Sequence, residues 1–217
     1  MTRLTRQIVH HKTSAVLVLI STVAFAVSPF VTSGFGGFSA DQFLVPQIDP
    51  PVQPSGYTFS IWGVIYLWLI AGAIFGALRA GDNPNWNAMR WPLMTSLIIG
   101  CFWIAAANYA PIWATVMILI MAATAIASML RADDKHPWMQ VRPVALYAGW
   151  LTAASGVATG VILGGFGVLT SQAAAILCLV SVFVVAHAVQ SRRPREWCYP
   201  AAIVWALIGV IAANLPS

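Results

Sequence analysis

The sequence predicts an all-α integral membrane protein of seven transmembrane helices, forming a single transmembrane domain over residues 1–217. Three observations lead there. Hydrophobic residues make up 59% of the 217-residue chain and charged residues only 8%, far from the roughly 25% charged of a soluble domain. The apolar residues fall in long unbroken runs rather than alternating, and inside a bilayer only helices or closed barrels satisfy the backbone. The basic residues sit at the ends of those runs, one side only.

Seven runs meet the roughly 17–25 residues that a spanning helix needs: Thr13–Thr32, Tyr57–Arg79, Pro92–Asn108, Pro111–Leu130, Arg142–Gly164, Thr170–Val189 and Cys198–Leu215. The third is the shortest. Only Tyr109 and Ala110 separate it from the fourth, which predicts a tight helical hairpin, with Pro111 suited to the first turn of the returning helix.

Charge sets the orientation. Arg3, Arg6 and Lys12 precede the first span; Arg79 and Arg90 flank the second connection, Arg131, Lys135 and Arg142 the fourth, and Arg192, Arg193 and Arg195 the sixth. These are all 11 basic residues, and the rule that basic residues stay inside puts the N-terminus in the cytoplasm and the C-terminus outside, in a bacterial inner membrane. The opposite side carries only Asp41 and Asp49, in the long connection 33–56. The apolar stretch ending at Ala24-Phe25-Ala26 also has the form of a signal-peptide cleavage site; the run continues to Val31 and is read as a retained span, and removal would leave six spans in the same orientation.

The net charge of +5 does not point to nucleic acid, because the basic residues are scattered at span ends instead of gathered in a stripe with aromatics. Cys101, Cys178 and Cys198 have no metal or disulfide spacing. Lys12 and Lys135 are the only lysines, so a Schiff-base retinal site has no lysine in a span. Asp41, Asp49, Asp82, Asp133, Asp134 and Glu196 all lie in connections, which disfavours an ion relay, and no nucleophile–base pair suggests an enzyme.

Ten tryptophans divide by position. Trp86, Trp91, Trp138 and Trp197 lie beside span ends on the basic side, as anchors of an aromatic belt. Trp62, Trp68, Trp103, Trp113, Trp150 and Trp205 fall within spans, where the indole N–H needs a partner or a polar cavity. The densest constellation runs from Pro50-Pro51 through Pro54 to Tyr57, Phe59, Trp62 and Tyr66: a proline-stiffened loop entering the second span, with Trp62 and Tyr66 four residues apart on one helix face. It is read as the mouth and lid of an external aromatic pocket, or as a loop end with anchoring aromatics.

In the fifth span Gly156, Gly160 and Gly164 recur every four residues, a ridge that admits a neighbouring helix closely and faces away from Tyr147, Trp150 and Ala154. Gly72 and Gly76 repeat the spacing in the second span. Internal packing is the first reading, a homodimer contact the second.

The chain resembles the tryptophan-rich sensory or translocator proteins, the TspO/MBR family. The resemblance is carried by the long proline-rich loop, by Trp62 and Tyr66 opening the second span, by Phe102-Trp103 with Asn108 in the third, and by Tyr147-Ala148-Gly149-Trp150 in the fifth. It covers about residues 13–165. One residue fewer than in the family pattern separates Phe59 from Trp62, and Tyr57 stands nearest the family's missing tryptophan. The resemblance implies a five-helix core, to which residues of about 170–215 add a helical hairpin. It further implies a tetrapyrrole such as porphyrin or haem, or another apolar molecule, bound by Tyr57, Phe59, Trp62, Tyr66, Trp103, Asn108, Tyr147 and Trp150, in a sensor, carrier or regulator. Protein-supplied iron ligation is not expected, since His10, His11 and His136 lie outside spans and His187 near a span end. The alternative is an accessory subunit that packs by its glycine faces in a larger membrane complex.

Overall fold

The structure is a computed structural model that describes residues 3–32, 34–81 and 83–215, with side chains from residue 11 onward. Ser33, Asp82 and the side chains of Arg3, Arg6 and His10 lie outside the described residues. Seven α-helices follow in chain order: α1 (Arg3–Val31), α2 (Ile61–Arg79), α3 (Pro84–Tyr109), α4 (Pro111–Arg131), α5 (Val141–Gly165), α6 (Ser171–Gln190) and α7 (Cys198–Asn214). Six are long and apolar enough to cross a bilayer. The seventh, with 17 residues, spans about 26 Å at 1.5 Å per residue, the lower end of the range.

The third helix corrects one expectation. It has 26 residues and begins eight residues before Pro92, so it is not the shortest. Asn83 accepts the Asn85 N–H at 2.9 Å as its N-cap, and Pro84 takes the first turn, where a missing N–H costs nothing. Pro92 is therefore an interior residue, not a boundary. The extension also relocates Trp86, read from sequence as an interfacial anchor: it is 4% exposed, packed beside Phe75 and into the space left by Gly76 of α2. Trp91, Trp138 and Trp197 are about half exposed at the basic end, as belt residues are.

Arg90 lies inside as well. One turn on from Trp86, its guanidinium is 3% exposed. Nη1 donates to the carbonyls of His11 (2.9 Å) and Gly81 (3.0 Å), Nη2 to those of Ala80 (2.7 Å) and Gly76 (3.3 Å). A helix end leaves carbonyls without donors; this planar fork supplies several at once and joins α1, α2 and α3.

α5 is the centre of the bundle. Most of its residues are buried, and α2, α4, α6 and α7 all pack on it. The α6–α7 pair is not a packed hairpin: each lies along α5 and they barely touch one another. Small residues make this possible. A side chain at Gly149 would strike the Tyr199 carbonyl of α7, and one at Gly156 would strike Val182 of α6. Gly160 faces Val52 and Cys178, Gly164 faces Gln47 and Ser171, and Gly72 faces the Met139 carbonyl and Pro143. The hydroxyls of Thr22, Thr152, Ser155 and Thr159 donate to the carbonyl four residues earlier, so these four side chains enter the spans without orphaned donors.

Candidate functional site

At the end opposite the basic residues, the connection from α1 to α2 folds down over the bundle. Two short 3₁₀ turns, Ala40–Gln42 and Gly56–Ser60, give it shape, and two of its apolar side chains turn inward, Phe43 and Val52 being buried against Val161 and Ala175. Backbone and side chains pin it. Val45 N–H donates to the Gly165 carbonyl (2.8 Å), the Gln42 amide to the carbonyls of Ala107 and Asn108 (3.0 Å each), and Ser55 N–H to the Gly209 carbonyl (3.0 Å).

Beneath this lid is an aromatic chamber in two adjoining lobes. The larger, about 220 Å³, lies between Phe25, Pro29, Phe35, Phe59, Trp62, Tyr66, Gly100, Trp103, Ile118 and Leu151. The smaller, about 60 Å³, continues past Phe35, Phe59, Trp62 and Trp103 to Trp150, Ala154, Pro54 and Gln53. Trp62 and Tyr66 are stacked, centroids 5.2 Å apart and planes inclined by 19°, as their four-residue spacing requires. Trp150 stands edge-on to Trp62 (6.1 Å) and to Phe59 (5.9 Å). Phe35 stands edge-on to Trp103 (4.8 Å), closing the chamber from above. Offset and edge-to-face pairs such as these are the favoured aromatic arrangements, worth about 0.5–1.5 kcal/mol each beyond area.

Phe25 of α1 is the hinge between chamber and core. Its ring touches Trp62 (5.8 Å), Tyr66 (5.3 Å) and Tyr147 (5.6 Å) and lies directly over Gly100, where a Cβ would strike it. Three indole N–H groups in the spans find carbonyls: Trp103 donates to Ala114 (2.9 Å), Trp68 to Trp138 (2.7 Å) and Trp205 to Thr58 (2.9 Å), whereas that of Trp86 is buried without a hydrogen-bond partner. Trp113, by contrast, is 68% exposed on the outer face.

Of the eight residues singled out by sequence, Phe59, Trp62, Tyr66, Trp103 and Trp150 line the chamber. Tyr147 lies behind its floor, fully buried, with its hydroxyl 2.9 Å from Ser96 Oγ. Tyr57 is half exposed and sits against Trp205 (5.9 Å), outside the lining. Asn108 is absent from the lining too; its backbone carbonyl holds the lid through Gln42. Phe25, Phe35, Phe38 and Gly100 are the contributors that sequence reading missed. The spacing Gly34-Phe35-Gly36-Gly37-Phe38 was the available signal for the lid aromatics. His136 and His187 lie at the basic end, beside Phe75 and Phe183.

Seven helices around an aromatic chamber, closed on one side by a long loop, define a polytopic helical membrane protein with an internal apolar cavity. The chain belongs to the TSPO-like protein family, whose family model matches residues 9–217. That match runs through α6 and α7, well beyond the stretch 13–165 on which the resemblance first rested. No curated protein and no solved structure matches the chain.

Proposed function

We propose that this TSPO-like protein takes up a flat apolar ligand, a tetrapyrrole such as protoporphyrin or haem being the type, in the chamber beneath the lid, and acts as its sensor or carrier rather than as an enzyme. The observation that carries the reading is the chamber itself: five ring systems from α2, the lid, α3 and α5 converge on one cavity at the bundle's lidded end. Apolar walls with a few hydrogen-bonding groups are the usual make-up of a small-molecule site, and Gln53 in the smaller lobe supplies a polar group. The lobes together fall short of the roughly 300–1,000 Å³ of a drug-sized site. A macrocycle therefore enters with displacement of Phe35 and the lid segment around it. In this reading the basic end faces the cytoplasm and the lid faces outward from a bacterial inner membrane.

The test is a titration of protoporphyrin into protein in mild detergent, followed by tryptophan-fluorescence quenching. Trp150→Leu removes one wall and is expected to weaken binding about two- to twelvefold, the equivalent of one aromatic pair. Trp113→Leu removes one fluorophore from the outer face and is expected to leave affinity unchanged. Equal affinities for the two variants, or no saturable binding by the parent, would favour an accessory subunit of a larger complex instead.

A further inference from the structure

A second cavity system lies on the outer surface of the bundle, a groove at mid-depth and a cup at the basic end. α4 and α6 both pack on α5 but diverge from one another, leaving a groove of about 470 Å³ whose floor is the small-residue face of α5 around Ser155, Gly156 and Thr159. The walls are Leu119, Ala123 and Ile126 of α4, and Val182 and Val185 of α6. These rows follow the three- and four-residue spacing of a helix face. Continued by one turn the α4 row reaches Leu130, while α6 ends at Gln190 and hands on to the turn that carries Arg192 and Arg193. Leu130, Arg192 and Arg193 line a polar pocket of about 680 Å³, together with Arg142, Arg195, Asp134 and Glu196. The basic cup therefore begins one α4 turn beyond Ile126, the last wall residue of the apolar trough on that helix.

The two acids of the cup are already engaged. Asp134 pairs with Arg193 at 2.7 Å, and Arg193 also donates to the Ala132 carbonyl. Glu196 is buried and accepts the Cys198 N–H at 3.1 Å. Arg142 is held between two indoles, 4.0 Å from the Trp138 centroid and 5.8 Å from that of Trp197, and its Nε and Nη1 atoms are buried without a hydrogen-bond partner. Arg192 and Arg195 are exposed at the rim. Half-exposed Trp138 and Trp197 mark this level as the membrane interface, where tryptophans settle among headgroups.

From this we infer that the cleft between α4 and α6 is a binding site for an anionic phospholipid, its phosphate in the cup of Arg142, Arg192 and Arg195 and one acyl chain in the groove over α5. Charge complementarity names the headgroup: basic pockets between helices at the interface hold acidic lipids, and guanidinium groups match phosphate oxygens two at a time. The site shares no residue with the aromatic chamber, so it stands or falls separately from the tetrapyrrole reading.

The experiment is native mass spectrometry of the purified protein with equimolar phosphatidylglycerol and phosphatidylcholine of identical dioleoyl chains. The parent is expected to retain phosphatidylglycerol at least tenfold better. Arg192→Gln with Arg195→Gln alters only exposed side chains, leaves the fold intact, and is expected to weaken that retention by about fivefold per arginine. Ala123→Phe fills the groove and is expected to release dioleoyl phosphatidylglycerol while leaving the dihexanoyl form, too short to reach it, unaffected. Equal retention of the two headgroups by the parent would overturn the inference. So would displacement of the lipid by millimolar inorganic phosphate, which would make the cup a site for a soluble anion.

Discussion

The two ends of this bundle handle the difficulty of burying unusual side chains in opposite ways. At the basic end, Arg90 is a charge inside the helices, and its two Nη groups meet four carbonyls, one of α1 and three at and just past the end of α2. At the lidded end, Phe25, Trp62, Tyr66, Trp103 and Trp150 pack mainly ring against ring, and they are arranged around space instead of filling it. A saturated polar knot fixes geometry, because each donor removed leaves an acceptor unmet. An aromatic cluster with a cavity tolerates displacement, because stacking and edge contacts re-form at small cost. Rigidity and receptivity are thereby placed at different depths of one structure.

Substitutions at three positions sharpen the contrast. The largest effect is expected at Arg90→Met, which strips donors from the end of α2 and loses about 3 kcal/mol or more of stability; Arg90→Lys keeps the charge without the fork and should fall between. Thermal unfolding in mild detergent reads both, and an Arg90→Met variant as stable as the parent would undo the division drawn above. Next is Gly100→Ala, whose methyl group displaces the Phe25 ring into the chamber. We expect overpacking of about 1–3 kcal/mol and at least tenfold weaker porphyrin binding, with Arg90 and the basic end unaffected. The smallest is Gln42→Ala, which releases the lid from the carbonyls of Ala107 and Asn108. A loss of about 1 kcal/mol corresponds to a roughly fivefold larger open population, measurable as faster amide hydrogen exchange over residues 34–48 with unchanged exchange in α5.

Spans, the α3–α4 hairpin and the stacked Trp62–Tyr66 pair were legible because each rests on a local rule: hydropathy, two residues between helices, four residues along one face. The start of α3 was not, since Pro92 reads as a boundary when the stronger signal, Asn83 before Pro84, lies among polar residues outside the apolar run. Trp86 and Arg90 were misplaced for the same reason, as residues of a connection and not of a helix. The chamber's far wall was illegible in principle. Phe25, Phe35 and Gly100 are separated along the chain and meet only through the crossing of α1 with α3 and the fall of the lid, which no periodicity encodes. Nor did spacing foretell that α6 and α7 would each pack on α5 and barely on one another; Gly149 and Gly156, two turns apart on one face, admit α7 and α6 at different depths of α5.

The lid and the last helix form a mechanical linkage. Ser55 N–H is bonded to the Gly209 carbonyl, the Asn214 amide to the Pro51 carbonyl (2.9 Å), and Trp205 to the Thr58 carbonyl, while Thr58 occupies the notch at Gly209. Proline-stiffened residues 50–58 are thereby tied to α7, whereas the stretch around Phe35 and Phe38 hangs from Gln42 and Val45 on the other side. A load on the end of α7 is passed to the strap over the chamber, and a spectroscopic label at exposed Leu215, which leaves the Asn214–Pro51 bond in place, is expected to report its movement.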